Sequence, residues 1–307
     1  MYHHSEKKYV VTGGAGFIGT HLVRALCEKG AHVRVIDDLR TGRSKPHLEN
    51  VTFYNHSVEE PLPVEIFEGT DAIFHLAAIP GVPISIEDPV GTHKVNLDGT
   101  LHVLEAARVA RVPRVIFSSS AAVYGIQESE IFREDMDPKP MSPYAFHKYA
   151  GERMLEMWRR VYGLESISLR YFNVYGSGMD PRGAYAAVIG KFLQARSEGK
   201  VLTVIGDGTQ TRDFVHVDDV VQANMRAVEL AKVPEVAVFN VGTGVGVSVQ
   251  ELAELIGGPI EHTAARLEIQ HAVADITNIK HVLGYEPHVS LEDGLKALAE
   301  EFGVLDR

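Results

Sequence analysis

Cysteine is almost missing from this chain of 307 residues, which holds one, Cys27. A single thiol excludes an internal disulfide and a cysteine-ligated zinc site. Lying in the helix-like run THLVRALCEKG, Cys27 reads as a small core side chain rather than a reactive one. Missing too is any apolar run near the ~18 residues of a membrane span. The opening MYHHSEKKYV lacks the apolar segment of a secretory signal. A cytoplasmic protein with no membrane partner is therefore expected. Positive charge is in short supply: 30 Lys and Arg face 41 Asp and Glu, for a net charge of −11. With no basic stripe, nucleic acid is excluded as a partner, and anionic ligands must be held by a few placed cations and by backbone amides. His3 and His4 have no further ligands clustered nearby, so no metal site is expected.

What the chain does have is an ordinary globular composition, 45% apolar and 23% charged, which argues against disorder. At this length one large unit with a smaller appended lobe is expected. Short β-branched runs (KYVVT, HVRVID, VTFYN, DAIFHLAA, RVIFSSS, ESISLRYFNVYG) alternate with amphipathic stretches. That rhythm predicts an α/β fold, a doubly wound parallel sheet. After Gly176 the pattern changes. A helix from about 184 to 197, the strand VLTVI, the turn GDGTQ and helices near 248–256, 277–283 and 290–302 build a smaller, mixed α/β lobe over 177–307. The helix VDDVVQANMRAVELA and the strand VAVFNVG, within 213–245, are expected to return to the main domain, residues 1–176, so that the two lobes interleave.

The first chemistry-bearing stretch is GGAGFIG, residues 13–19, between a strand and a helix. Gly14, Gly16 and Gly19 fit G-x-G-x-x-G, and Gly13 adds G-x-x-G-x-x-G. Without Cβ atoms the backbone turns tightly and approaches a pyrophosphate, whose charge meets amides at the helix start. The next strand ends at Asp37, a carboxylate able to accept both adenosine ribose hydroxyls. Asp37 and Asp38 repel a 2′-phosphate, favouring NAD over NADP, although Arg40 and Arg43 pull the other way.

The second is SPYAFHKYAGERMLEMW, which places Tyr144 and Lys148 four apart on one helix face. A nearby cation, from Lys148 or a charged nicotinamide ring, favours the phenolate. A phenol that ionises near neutral pH is a general base toward a carbinol. RVIFSSSAAVYG ends its strand at Ser120, at the sheet edge where such folds bind ligands, and a hydroxyl there can share the proton with Tyr144. Together these groups predict a hydride-transfer site.

With these residues assembled, the chain resembles the extended short-chain dehydrogenases/reductases that act on nucleotide sugars. TGGAGFIG, HLAA, SSSAAVYG, YAFHK, RYFNVYG, GDGTQTRDFVHVDDV and LGYEP match their motifs in order, over essentially the whole chain. It looks most like the UDP-glucose 4-epimerases, including DPRGAYAAVIGKF. The resemblance implies a Rossmann domain with tightly held NAD and a C-terminal lobe gripping a nucleotide diphosphate. It assigns catalysis to Ser120, Tyr144 and Lys148. It assigns cofactor contacts to Gly13, Gly14, Gly16, Phe17, Ile18, Gly19, Asp37, Ser57, Val58, Leu76, Ala77, Ala78, Asn96, Ser118, Tyr144, Lys148 and Tyr171. Substrate contacts fall on Ser85, Ser120, Tyr144, Asn173, Val188, Arg212, Arg266, Glu268 and Ala272. The implied reaction is an internal redox cycle at the sugar's C4 through a 4-keto intermediate. A homodimer paired through two long helices is implied as well; MLEMW adds apolar area beyond what one sheet face needs.

The departures from the family pattern decide among sister activities. Sugar-nucleotide 4,6-dehydratases follow the hydroxyl residue with an Asp-Glu pair, and UDP-glucuronate decarboxylases typically carry Glu at the second of these positions. Here stand Ala121 and Ala122, whose methyl groups transfer no protons. HLAAIPGVPIS is similar to UDP-glucuronate 4-epimerases, the alternative reading, but Pro83 stands where an Arg for a sugar carboxylate is expected. Ser57 replaces the acidic residue that usually reaches the adenine. AARLEIQHAVADI lacks the Gly of the usual R-x-G-D/E element, which leaves the register of Arg266 and Glu268 open. Ala272 occupies the position where a bulky Tyr restricts family epimerases to unacetylated hexoses.

Overall fold

A computed structural model describes residues 6–40, 45–181, 188–265 and 269–304. Arg43, Arg266 and Glu268, and the first part of the helix expected from 184, lie outside the described residues.

The first half is laid down as β1 Lys8–Thr12, α1 Phe17–Glu28, β2 His32–Asp37, β3 Val51–Asn55, β4 Ala72–His75, α2 Val82–Glu87, α3 Pro89–His93, α4 Gly99–Val109, β5 Arg114–Ser120 and α5 Pro143–Tyr162. These five strands join Glu165–Tyr171 and Val238–Val241 in one seven-stranded sheet. Its order is Val238–Val241, Glu165–Tyr171, β5, β4, β1, β2, β3. The pairs β1·β2, β2·β3, β1·β4 and β4·β5 are parallel. The chain runs outward from β1 in one direction through β2 and β3, then returns to β4 on the other side of β1. Ligands of open α/β sheets bind at such a reversal, beyond the carboxyl ends of the strands. The sheet is Rossmann-like. Both of its faces are apolar where helices cover it, and Val10, Val11, Ile36, Ile73, Phe74 and Phe117 are buried.

Local chemistry explains the strongest helix. In α5, Ser142 caps the start by accepting from the Ala145 N–H (3.2 Å), Pro143 sits in the first turn, and Gly163 closes the helix with φ 73°. These are the signals that favour initiation and a left-handed stop. The run THKVNLDGTLHVLEAARVA reads as one long helix but is built in parts. The Asp88 carboxylate caps α3, a π-helical turn covers Lys94–Asp98, and α4 follows. DAIFHLAA is extended only over β4, and RYFNVYG breaks at Phe172 between the sheet strand and the separate strand Asn173–Tyr175.

The chain divides into two compact units, 1–123 with 140–170 and 221–239, and 124–139 with 171–220 and 240–307. The second contains a four-stranded sheet ordered Val247–Ser248, Thr211–Arg212, His271–Ala274, Ile131–Phe132 and two short parallel pairs. Its hub is Asp213, fully buried, whose carboxylate accepts from the Thr243 N–H (2.8 Å), the Thr243 hydroxyl (2.7 Å), the Gly244 N–H (2.9 Å) and the Ala274 N–H (3.1 Å). One side chain thus ties three backbone segments that are distant in sequence.

Candidate active site

The glycine cluster sits at the carboxyl end of β1, beside the end of β4. Gly13 has φ +71°, and a Cβ there would lie 2.6 Å from the Ala77 nitrogen, so only glycine fits between the two loops. Gly14 and Gly19 are buried, while Phe17 and Ile18 open the helix half-buried. Gly16 caps α1 without a side-chain hydrogen bond, leaving the first-turn N–H groups unclaimed by any side-chain cap. At the end of β2, Asp37 Oδ2 accepts from the Ala15 N–H (3.0 Å) and Oδ1 from the Leu39 N–H (2.9 Å). Burial pushes this carboxyl up, while the two backbone donors hold it down. Each oxygen keeps acceptor capacity for a ribose hydroxyl. A cradle that a Cβ would fill, an uncapped helix start and an oriented carboxylate fit a dinucleotide.

Arg40 does not reinforce a 2′-phosphate site. Its guanidinium donates to Asp38 Oδ2 (2.7 Å), to Glu59 Oε1 (3.1 Å) and to the Ser57 hydroxyl (3.0 Å). The positive charge that competes with an NAD reading in the sequence is therefore enclosed by two carboxylates. Ser57, standing in for the usual acid, belongs to this cluster. Val58 is buried, and its carbonyl faces the His102 ring nitrogen (2.8 Å).

Beneath the Leu76–Ala78 loop runs a buried relay that the sequence reading did not find. His75 Nδ1 lies 2.7 Å from the Thr12 hydroxyl, and Nε2 lies 3.0 Å from that of Thr100. The Thr100 hydrogen is committed to the Asn96 carbonyl (2.8 Å), so Thr100 accepts from Nε2–H and Nδ1 accepts from Thr12. Thr12 in turn accepts from the Ala77 N–H (3.3 Å). Burial, with Lys148 nearby, lowers the His75 pKa to about 3, which keeps the ring neutral as this arrangement requires. Asn96, in the π-helical turn, uses both ends of its amide on the Ile79 backbone (2.7 and 3.0 Å). It thus acts on the loop backbone. The signal available for the relay is polar residues (Thr12, His75, Thr100) at positions whose neighbours are all apolar.

The catalytic candidates line the seam between α5 and β5. The Tyr144 phenol neighbours the Ser120 side chain, whose Oγ accepts from the Ala122 N–H (3.2 Å). Lys148, 3% exposed, donates to the Ser118 carbonyl (2.7 Å), with its nitrogen 5.1 Å from the Phe117 ring centre and 5.9 Å from that of Tyr144. A Cβ on Gly151 would stand 2.6 Å from Phe117, so the missing side chain sets how closely helix and strand approach. Burial raises the Tyr144 pKa, and the neighbouring Ser120 side chain opposes that rise. Burial also lowers Lys148 to about 7. The sequence suggests that a neighbouring ammonium favours the phenolate; the folded seam works against this by withdrawing Lys148 wholly and Tyr144 partly from water, because desolvation penalises either charge.

Other predicted contacts are placed as follows. Ser85 is buried in α2 and donates to the Val82 carbonyl (2.7 Å), while Tyr171 is buried at the end of its strand. In the second unit the Asn173 side chain donates to the Asp213 carbonyl (3.1 Å). Arg212 donates to the carbonyls of Thr211 (2.8 Å) and Gln270 (3.2 Å). Ala272, buried, pairs with Arg212 in parallel register, and Val188 begins the helix Val188–Ser197. Among the described residues no cluster of three or more His, Cys, Asp or Glu could hold a metal ion. No helix there is long and apolar enough to cross a membrane.

Comparison with known proteins agrees with this geometry. The model of the NAD dependent epimerase/dehydratase family matches residues 9–242. The chain is 38% identical to the UDP-glucose 4-epimerase of Mycolicibacterium smegmatis, over 95% of this chain and 97% of that protein. Its structure is similar to that of the UDP-glucose 4-epimerase of Thermotoga maritima with UDP-glucose, with a TM-score of 0.89 and 38% identity over 96% and 98% of the two chains. A UDP-N-acetylglucosamine 4-epimerase from Methanobrevibacter ruminantium, in complex with UDP-N-acetylmuramic acid, is also similar, with a TM-score of 0.89 and 33% identity over 96% and 99%. The chain belongs to the NAD-dependent epimerase/dehydratase family, and NAD is its cofactor.

Proposed function

We propose that the protein inverts C4 of a UDP-hexose, interconverting UDP-glucose and UDP-galactose and accepting the N-acetylated pair as well. The observation that carries this reading is Tyr144 on α5 set beside Ser120 at the end of β5, followed directly by Ala121 and Ala122. A hydroxyl base is present without the added acid and base that eliminating water requires, which favours epimerisation over dehydration. Tyr144 takes the proton from the C4 hydroxyl, and Ser120 shares it. Lys148 holds the start of α5 to β5 through the Ser118 carbonyl and places a titratable nitrogen beneath the phenol ring. NAD, held by these residues, would supply the acceptor and then the donor of the C4 hydride. Tyr144 then gives its proton back to the new hydroxyl. Gly13, the start of α1 and Asp37 hold the dinucleotide; Asn173 and Arg212 hold the substrate diphosphate and ribose. Ala272 leaves room at C2 for an acetamido group where a Tyr ring would clash. The protein acts as a homodimer through the outer faces of α4 and α5, where Leu101, Val109, Phe146 and Val161 are exposed.

The test is separate incubation with UDP-glucose, UDP-N-acetylglucosamine and UDP-glucuronate, followed by product analysis. Epimers of the first two are expected, and Ala272→Tyr is expected to suppress turnover of the acetylated sugar while sparing UDP-glucose. Conversion of UDP-glucuronate alone would overturn this reading.

A further inference from the structure

One buried ionic cluster lies outside the catalytic set yet grips both elements that carry it. Glu152, Arg170 and Ser119 are each 2% exposed. Glu152 Oε1 accepts from the Ser119 hydroxyl (2.5 Å) and from Arg170 Nε (2.9 Å), and Oε2 accepts from Arg170 Nη2 (2.8 Å). Glu152 stands one turn beyond Lys148 and two beyond Tyr144 on α5. Ser119 stands between Ser118 and Ser120 on β5, and Arg170 is on the neighbouring strand Glu165–Tyr171.

A buried pair of this kind is a poor source of stability, since desolvating two charges offsets most of their attraction and an apolar trio of the same volume would serve as well. What it supplies is direction. A planar guanidinium and a carboxylate meet in one two-pronged geometry, and the serine adds a third fixed bond. Phe117 and Ser119, two apart on β5, share the face toward α5: Phe117 meets Gly151 and Lys148, and Ser119 meets Glu152. Along this seam α5 meets β5 three times, with Tyr144 beside Ser120, the Lys148–Ser118 bond and the Glu152–Ser119 bond. The last of these contacts is anchored to the neighbouring strand through Arg170. The geometry points to Glu152 as a positioning residue: with Arg170 and Ser119 it fixes the height and rotation of α5 against β5, so that Tyr144 stands beside Ser120, and it neutralises the Arg170 charge at the far end of the same seam. This rests on the role given to Tyr144 above.

The experiment uses NAD-saturated protein labelled with 13Cζ-tyrosine. The Tyr144 resonance is assigned by its loss in Tyr144→Phe and is followed through a pH titration, alongside steady-state turnover of UDP-glucose. Glu152→Gln keeps the hydrogen-bonding shape but leaves the Arg170 charge unbalanced. It is expected to lower the pH at which Tyr144 ionises by about 0.5, and kcat is expected to fall less than about fivefold. Glu152→Ala, which removes the anchor, is expected to lower kcat ~30-fold or more, with KM within about threefold of wild type, since misplacing a reacting group costs rate on this scale. If the Ala variant does not fold, the Gln variant and the double variant Glu152→Gln/Arg170→Gln carry the test, and the double variant is expected to restore the wild-type Tyr144 titration. An unchanged Tyr144 titration in Glu152→Gln overturns the proposal, as does a Glu152→Ala variant that loses thermal stability but keeps kcat. If the wild type turns over no nucleotide sugar, the functional reading fails, and the Tyr144 titration still decides the place of Glu152.

Discussion

Replacing Lys148 by methionine should stabilise the protein without cofactor while removing its activity, with a dependence on pH that exposes the cause. Burial takes this ammonium from its ordinary 10.5 to about 7, and desolvation is the only cause. Each tenfold change in proton affinity is worth about 1.4 kcal/mol, so below pH 7, where the side chain is charged in both states, holding it in the fold costs on the order of 4–5 kcal/mol. Between pH 7 and 10.5 the unfolded chain binds the proton and the folded one does not. The wild type therefore gains stability as pH rises through this window, and at pH 9 the remaining cost is about 2 kcal/mol. Methionine has a similar volume and no charge, but it leaves the Ser118 carbonyl without its 2.7 Å donor, a loss of about 1–3 kcal/mol. The net expectation is that Lys148→Met is more stable than wild type by about 2–3 kcal/mol at pH 6 and about equal at pH 9. Urea unfolding at the two pH values, on protein stripped of NAD, measures this directly. A variant less stable at pH 6, or a difference that does not change with pH, would refute the assignment of that cost to Lys148.

Tyr144→Phe is expected to retain NAD and to lower turnover by at least ~100-fold, the scale of a lost general base; near-normal turnover would remove Tyr144 from that role. Asp37→Asn is expected to weaken NAD binding by roughly 10- to 100-fold, measured by calorimetry, because a charge-assisted bond to ribose and the grip on the Ala15 amide are both reduced. With Arg40 enclosed by Asp38 and Glu59, NADP should bind at least ~100-fold more weakly than NAD, and equal affinity in the same titration would contradict that account. Light scattering should give a dimer mass for the wild type at micromolar concentration, with Phe146→Glu shifting it toward one chain; a wild-type monomer would contradict the pairing of the exposed α4 and α5 faces.

The sequence by itself determined what depends on neighbours along the chain. The strands β1, β2, β3 and β5 and the long α5 follow from β-branched runs, from the Ser142 cap with Pro143 and from the Gly163 stop, all of them local preferences. The Gly13–Gly19 turn, Asp37 at a strand end, and Tyr144 with Lys148 on one helix face were legible because their spacing is fixed by local geometry. Tertiary structure alone decided how distant residues complete one another. The π-helical turn that aims Asn96 at Ile79, the relay from Ala77 through Thr12, His75 and Thr100, the capture of Arg40 by Glu59 and the Glu152–Arg170–Ser119 anchor each join side chains far apart in sequence. The proton affinities of Tyr144 and Lys148 belong to the same class. The sequence places a cation near a phenol, but the cation is buried and the phenol half-buried by residues from other elements, and the work of removing water from a charge depends on everything packed around it rather than on the residue four positions away.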